Sequence, residues 1–175
     1  IYASDSDITI TNGLFVVNEA TSPGGGIHVA STSDITLTNC TFSGNTSTVF
    51  GGGVSASDST LTTVNSIFWG NTSTNGTTTE QQLYNQTSTF TITYSAIQGG
   101  HTGTGNISTD PLLHATAYSL RTGSPAINAG DSTALPADTH DLDDDSDTTE
   151  AIPFDLLGNE RVTGSAVDMG AFETP

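Results

Sequence analysis

A pattern of 26 or 27 residues recurs along the first part of the chain, and this period limits the possible folds more than any other feature. Between the first and second copies every matched residue is displaced by 27: Ile8, Ile10, Asn12, Phe15 and Asn18 return as Ile35, Leu37, Asn39, Phe42 and Asn45. A third copy follows at a shift of 26 with Asn65, Phe68 and Asn71, and a weaker fourth follows at 29 with Tyr94, Ser95 and Ile97. An offset held at so many positions indicates a repeated structural unit.

Each copy has the pattern of short β-strands. In the segment DITLTNCTF, the side chains of Ile35, Leu37 and Asn39 fall on one face, and those of Thr36 and Thr38 on the other. Alternation with a period of two, in residues rich in Ile, Val, Thr and Phe, predicts strands, and no window shows the apolar stripe of a helix. We therefore expect two or three strands per copy, joined at corners that contain Gly and Asn.

A single copy is too small to bury its own apolar face, but copies stacked about 4.8 Å apart can share one core. The sequence thus predicts an all-β fold, a right-handed parallel β-helix: a solenoid of about four coils of 26–29 residues over residues 1–99. Residues 100–175 are predicted to form the last coil and an irregular C-terminal capping segment. The alternative, a β-sandwich, does not require a constant offset between copies.

Stacked coils bring equivalent side chains into columns, which we call ladders. The predicted inward-facing ladder consists of Phe15, Phe42, Phe68 and, in the weak copy, Ile97. The predicted corner ladder, in which side-chain amides pair, consists of Asn18, Asn45 and Asn71. The triplets Gly24–Gly26 and Gly51–Gly53 indicate a bend too tight, or a wall too close, for a Cβ atom.

Composition excludes several classes of partner. The formal net charge is −17, and the only basic residues are Arg121 and Arg161, so binding to nucleic acid through its phosphates is excluded. No segment is long and apolar enough for membrane insertion. The single cysteine, Cys40, excludes an internal disulfide, and we expect it to be a small packed residue because Gly13 and Ser66 hold its position in other copies.

The residues after about Gly99 lose the repeat and contain prolines that end or redirect strands. Apolar residues of this part are expected to lie over the core of the final coil: Leu112, Leu113, Leu120, Ala126 and Ile127. Such a cover would protect the open strand edge of a solenoid. Arg121 and Arg161 are each expected to pair with a nearby aspartate, with substrate binding as the alternative.

An acidic loop over residues 138–150 concentrates the charge of the chain. Its candidate metal ligands are Asp141, Asp143, Asp145, Asp147 and Glu150, which Asp138 and Asp155 could complete. Alternating carboxylates in a loop offer the oxygens that calcium prefers. The pattern departs from an EF-hand, because Ser146 replaces the turn glycine and Ile152 the last glutamate. The alternative is a solvated acidic loop without metal.

The sequence predicts no enzyme. The coils contain no Arg or Lys that could act as the base of a polysaccharide lyase. Their aspartates lie near predicted corners, which indicates corner capping: Asp5, Asp7, Asp34 and Asp58. The four histidines are scattered, and no catalytic motif accompanies them. In the lengthened third coil, residues 69–89, Trp69 and Tyr84 are the candidates for stacking on a sugar, and packing at the corners is the alternative.

Several longer segments together carry a family resemblance: NCTFSGNTSTVFGGGV, NSIFWGNTSTNG, ISTDPLL, LRTGSPAINAG and IPFDLLGNERVTGSAVDMGAFE. The chain resembles the C-terminal part of secreted bacterial parallel β-helix repeat proteins of the choice-of-anchor Q type, which are similar to pectin-lyase-like and polymorphic outer-membrane repeats. The resemblance implies an extracellular or cell-surface location and says little about activity.

We therefore expect a structural or adhesive solenoid. Its first coil begins directly on repeat residues such as Ile1 and Ile8, and an uncovered coil would allow self-association end to end into surface filaments. The expected partners are other copies of the chain or extracellular glycans, and the only expected cofactor is calcium. The alternative function is a carbohydrate-binding or polysaccharide-processing β-helix.

Overall fold

The computed structural model describes all 175 residues and contains fifteen short strands in four parallel sheets. Each sheet takes one strand from successive coils. The first sheet contains β1 (Tyr2–Ser4), β5 (Ile27–Ala30), β9 (Val54–Ser57) and β13 (Leu83–Gln86). The second contains β2 (Ile8–Thr11), β6 (Asp34–Thr38), β10 (Thr60–Val64) and β14 (Thr89–Thr93). The third contains β3 (Leu14–Val16), β7 (Thr41–Ser43), β11 (Ile67–Trp69) and β15 (Ala96–Ile97), and the fourth β4 (Glu19–Ala20), β8 (Thr46–Ser47) and β12 (Thr72–Ser73).

The strand register follows the sequence repeat. Ile8 pairs with Ile35, Ile35 with Leu61, and Leu61 with Phe90, at the shifts of 27, 26 and 29 residues found in the sequence. Every strand pairs with its counterpart one coil away, and all the pairs are parallel. The predicted all-β parallel solenoid of about four turns is therefore confirmed.

One element without a counterpart in the repeat is a short helix, α1 (Thr78–Gln82), between β12 and β13. Thr77 accepts a hydrogen bond from the Glu80 N–H, and the Glu80 carboxylate accepts one from the Thr77 N–H, so the helix begins with a capping box. We predicted no helix here. The spacing of Thr77 and Glu80 was the available signal. This helix of five residues is the only one of the α type, and no helix is long and apolar enough to cross a membrane.

The main core fills the inside of the coils. It consists of side chains that point inward from the first three sheets, among them Val29, Leu37, Phe42, Leu61 and Phe68. Burial of aliphatic and aromatic side chains of this kind is the main source of stability in a thin core. Cys40 belongs to the same cluster with no exposed surface, and burial raises the pKa of its thiol to about 12. It is packed and unreactive, as expected.

The glycine triplets combine the two constraints that were predicted as alternatives. Gly24 and Gly51 have φ values of +79° and +62°, the left-handed region that favours glycine. At the next position the neighbouring coil is too close: a Cβ atom on Gly25 would lie 2.4 Å from the carbonyl oxygen of Gly52. The first residue of each triplet therefore makes the bend, and the second allows the coils to approach.

The C-terminal part has a different position from the one we predicted. Only its first residues cover the end of the solenoid: Thr104 accepts a hydrogen bond from Tyr94 N–H, and Ile107 pairs with Ala96. The rest, residues 110–175, which we call the side strap, forms no long strand and lies along the outside of the third sheet.

A second apolar cluster joins the strap to the coils. Ile67 and Ala96 point away from the main core and pack against Leu120, Ala126 and Met169 of the strap. Leu113 and Ile127 are partly buried at the edge of this cluster, whereas Leu112 is exposed. The apolar residues that we expected over the final coil therefore cover a side of the solenoid instead. Thr41, which holds the position of Ile67 one coil earlier, is polar, and its hydroxyl accepts a hydrogen bond from the N–H of Ala171 in the strap.

Candidate functional site

The ladders are the most regular feature of the molecule. The ring of Phe42 stacks between those of Phe15 and Phe68, with centroid distances of 4.4 and 4.9 Å and interplanar angles of 2° and 11°. Ile97 pairs with Phe68 in the fourth coil. The structure thus brings together all four residues of the predicted inward ladder. Stacked aromatic pairs of this kind stabilise a fold by about 0.5–1.5 kcal/mol beyond the area that they bury.

The asparagine ladder at the corner between the third and fourth sheets has a direction. The Oδ1 atom of Asn45 accepts from both N–H and Nδ2 of Asn18, and Oδ1 of Asn71 accepts from the same two groups of Asn45. Each oxygen therefore accepts from the coil before it. Gln82, at the end of α1, completes the series: its Oε1 accepts from N–H and Nδ2 of Asn71. The sequence repeat does not include this glutamine, because it comes from the inserted helix.

A second polar ladder runs through the position of Cys40. The Cys40 N–H donates to Oγ of Ser66, the Ser66 N–H to Oγ of Ser95, and the Ser95 N–H to Oδ1 of Asn106. Asn106 lies after the last strand, and its Nδ2 donates to the carbonyl of Ile92. A side-chain amide again ends the ladder at the C-terminal end of the solenoid.

A third column of asparagines binds the side strap. Asn12, Asn39 and Asn65 have φ values of 55°, 53° and 53°, a region that Asn tolerates well. Their Nδ2 groups donate to the main-chain carbonyls of Phe154, Asp168 and Asp131, respectively. These residues recur in the sequence, and we had predicted no role for them. The structure shows that each of the first three coils contributes one of these contacts to the strap.

Arg161 anchors the strap through main-chain groups rather than through the predicted pairing with an aspartate. Its side chain is fully buried, and Nη2 donates to the carbonyls of Asp168 and Gly170 at 3.2 and 2.7 Å. Nε and Nη1 are buried without a hydrogen-bond partner. Burial lowers the pKa of the guanidinium, while the charges of Glu173 and Asp155 oppose this shift. The second basic residue, Arg121, is exposed.

Two carboxylates near Arg161 have pKa values shifted in opposite directions. Burial raises the pKa of Glu173 to about 7, although its carboxylate accepts a hydrogen bond from Asp168 N–H. Asp155 is buried as well, but hydrogen bonds from the N–H of Glu173 and from Asn159 overcome the effect of burial and lower its pKa. Asp155 therefore holds the C-terminal residues in place and does not join the acidic loop, as we had suggested it could.

The acidic loop brings two overlapping groups of carboxylates together. In one group, oxygens of Asp141, Asp143 and Asp145 lie within 4.8 Å of one another, and in the other, those of Asp138, Asp143 and Glu150. Asp138 is buried, and its Oδ2 accepts from the N–H of Leu142.

Two of the predicted metal ligands, Glu150 and Asp147, have surroundings that differ from those of the other three. Oε1 of Glu150 is buried without a partner, and desolvation together with repulsion from Asp145 and Asp143 raises the pKa of this side chain. Asp147 lies outside both groups, because its carboxylate caps the turn at Thr149. Four of the five predicted ligands thus lie in the groups, and Asp138 adds a buried fifth carboxylate.

The two aromatic residues proposed for sugar stacking are engaged within the protein. Tyr84 stacks on Phe50, with ring centroids 4.2 Å apart, and Trp69 packs against the second apolar cluster. They lie on strands β13 and β11, which belong to different sheets, and do not form a common platform. Both residues therefore pack within the protein, which was the alternative prediction.

Two of the four corner aspartates, Asp34 and Asp58, line a polar groove of about 250 Å³. The groove is formed by Thr32, Asp34, Asp58, Ser59, Thr60, Thr87 and Thr89. The Asp58 carboxylate accepts from the hydroxyl of Thr87 one coil away, and the Asp7 carboxylate accepts from Asp34 N–H. These bonds link adjacent coils, which is the geometry of corner capping.

Fold and ladders together define the class of this protein: it is a parallel β-solenoid of about four turns with a C-terminal segment along its side. Comparison with known protein families, with curated proteins and with solved structures found no match.

Proposed function

We propose that this chain is a rigid structural or adhesive module that works outside the cell. The observation that carries the proposal is the side strap, which accepts hydrogen bonds from three successive coils across sequence separations of 142, 129 and 66 residues. Because the strap bridges the coils, they cannot separate one at a time without breaking these distant contacts. A body of this kind suits a load-bearing role.

The cell-surface part of the proposal is supported by the resemblance to choice-of-anchor Q proteins. The negative charge of the chain keeps such a module soluble and discourages contact with anionic surfaces. End-to-end self-association into filaments is one form that this proposal allows. Residues 104–107 cover only part of the fourth coil, where Ile107 pairs with Ala96, and β13 and β14 have no strand partner beyond them.

A stretching experiment tests the structural role. Asn65→Ala removes two hydrogen bonds between coil and strap, and Asn85→Ala removes two local hydrogen bonds to Ser88. The two variants remove the same side chain and the same number of hydrogen bonds. They differ in what they connect and in burial, and Asn65 also has a left-handed backbone conformation. In single-molecule force spectroscopy, we expect Asn65→Ala to lower the unfolding force and Asn85→Ala to leave it close to that of the parent chain. Equal forces for all three proteins would contradict a load-bearing strap.

A polysaccharide panel tests the alternative function. We expect no depolymerisation of any polysaccharide by the purified chain. If a polysaccharide were cleaved, and Asp34→Asn or Asp58→Asn abolished the cleavage, the groove at the coil corner would be an active site, and the carbohydrate-processing alternative would replace our proposal.

We propose as a second role that the acidic loop binds an oxygen-preferring divalent cation such as calcium. The specific support is the pair of carboxylate groups centred on Asp143, together with the buried, unpartnered Oε1 of Glu150. Calcium titration by calorimetry should show binding that Asp143→Asn weakens at least tenfold. The control is Asp144→Asn, which removes the same charge at the next residue, outside both groups. Equal effects of the two variants would indicate general charge attraction instead of a site.

A further inference from the structure

Two asparagines of the chain, Asn12 and Asn75, are followed directly by a glycine. In such a pair the main-chain nitrogen of the glycine can attack the side-chain amide carbon of the asparagine, because no Cβ atom hinders its approach. The attack also requires that the side chain and the main chain around it are free to rotate. The structure gives the two pairs opposite surroundings in this respect.

The first pair, Asn12 and Gly13, is held by hydrogen bonds on all sides. Nδ2 of Asn12 donates to the carbonyl of Phe154 in the side strap, and Oδ1 is buried. The main chain is fixed as well, since the N–H of Asn12 donates to the carbonyl of Thr38, and the carbonyl of Gly13 accepts from the N–H of Thr41. The reacting atoms of this pair therefore cannot meet unless the coil and its contact with the strap open first.

The second pair, Asn75 and Gly76, lies in the lengthened third coil between β12 and α1. Both residues are exposed, and the Asn75 side chain takes part in no hydrogen bond. The main chain of Asn75 is held by Val49 and Ser73, but the N–H of Gly76 donates to no acceptor. The nitrogen that would attack and the amide that would receive the attack are thus both free and open to water.

We propose that Asn75 is a site of spontaneous covalent modification, at which the asparagine is converted to aspartate and isoaspartate. The nitrogen of Gly76 forms a bond to Cγ of Asn75, the bond from Cγ to Nδ2 breaks, and Nδ2 leaves as ammonia with the proton that the nitrogen gave up. Water then opens the resulting succinimide ring at either carbonyl carbon. The only co-reactant is water, and the chain gains one negative charge.

The place of this modification connects it with the end of the asparagine ladder. Asn75 lies two residues before Thr77, which caps α1, and α1 supplies Gln82, which accepts from Asn71. Aspartate at residue 75 keeps the length of the main chain, whereas isoaspartate adds one carbon atom to it just before the cap. The proposal concerns the chemistry of the folded chain and does not depend on the structural function proposed above.

Peptide mapping by mass spectrometry tests the proposal on the folded chain at mildly alkaline pH. Asn12 serves as the control within the same molecule, because it belongs to the same dipeptide and differs in how it is held. We expect conversion at Asn75 to be faster than at Asn12 by about tenfold or more, since Asn12 reacts only after local opening. In urea, where neither pair is held, the two rates should become similar.

Two further measurements check the chemistry. An enzyme that methylates isoaspartate should label the peptide that contains residue 75, because hydrolysis of a ring gives isoaspartate and direct hydrolysis of the amide gives aspartate alone. Asn75→Gln keeps an exposed amide at this position, and its longer side chain would have to close a larger ring, so the conversion should disappear. The proposal is overturned if Asn75 and Asn12 convert equally slowly in the folded chain, or if the product at residue 75 contains no isoaspartate.

Discussion

Asn45→Ala should destabilise the solenoid far more than the same change one coil earlier. The Asn45 side chain is fully buried and takes part in four hydrogen bonds: it accepts from N–H and Nδ2 of Asn18, and it donates to Oδ1 of Asn71 and to the carbonyl of Phe15. The net contribution of one such bond is about 0.5–1.5 kcal/mol. Asn45→Ala removes all four bonds at a buried position. The free energy of unfolding should therefore fall by about 4 kcal/mol.

Asn18→Ala is the matched control. It removes the same side chain from an exposed position, where Nδ2 makes a single hydrogen bond to Asn45. We expect a loss of about 1 kcal/mol. Since domains of this size are stable by about 5–15 kcal/mol, the difference between the two variants is easily measured.

Urea unfolding followed by circular dichroism gives both values, provided that the slope with denaturant is unchanged. Asn45→Asp adds a third point, because the aspartate keeps the acceptor for Asn18 and loses the donor to Asn71 and Phe15. At low pH the new carboxyl group is protonated and carries no charge. The stability of Asn45→Asp should then fall between those of the parent and Asn45→Ala. The reasoning is refuted if Asn45→Ala costs no more than Asn18→Ala.

Three further predictions concern the core and the strap. Phe42→Ala should cost about 3–5 kcal/mol in urea unfolding because it opens a cavity in the middle of the stacked rings, while Phe15→Ala at the partly covered end should cost clearly less. Glu173 has a pKa of about 7 in the folded protein, above its ordinary value of 4.5, so folding favours its protonated form. The stability that this form contributes is lost as pH rises from about 4.5 to 7. Glu173→Gln should therefore be more stable than the parent at pH 8 and show no gain at pH 4. Arg161→Leu should cost about 3–5 kcal/mol because it leaves buried carboxylates without their cation, and it should raise the pKa of Glu173 further, which a pH series of unfolding midpoints would detect. Unchanged stability of Arg161→Leu at every pH would contradict the role of Arg161 as the anchor of the strap.

The inward ladder of Phe15, Phe42 and Phe68 and the corner ladder of Asn45 could be predicted because their partners lie one repeat away, and a constant offset is visible in the sequence. The acidic loop could be located from its charge density. The amides that end the ladders, Gln82 and Asn106, could not be assigned, because each lies outside the repeat.

The strands, their period and the residues that face the shared core follow from the sequence alone, because in a solenoid each contact between coils is repeated at a nearly fixed separation. The position of the C-terminal part, in contrast, depends on tertiary contacts. Asn39 meets Asp168 across 129 residues, and Arg161 binds main-chain carbonyls that carry no mark in the sequence. A contact that occurs once, with a backbone atom as partner, leaves no periodic signal, and the final position of the strap follows from which apolar surface the packed coils leave uncovered.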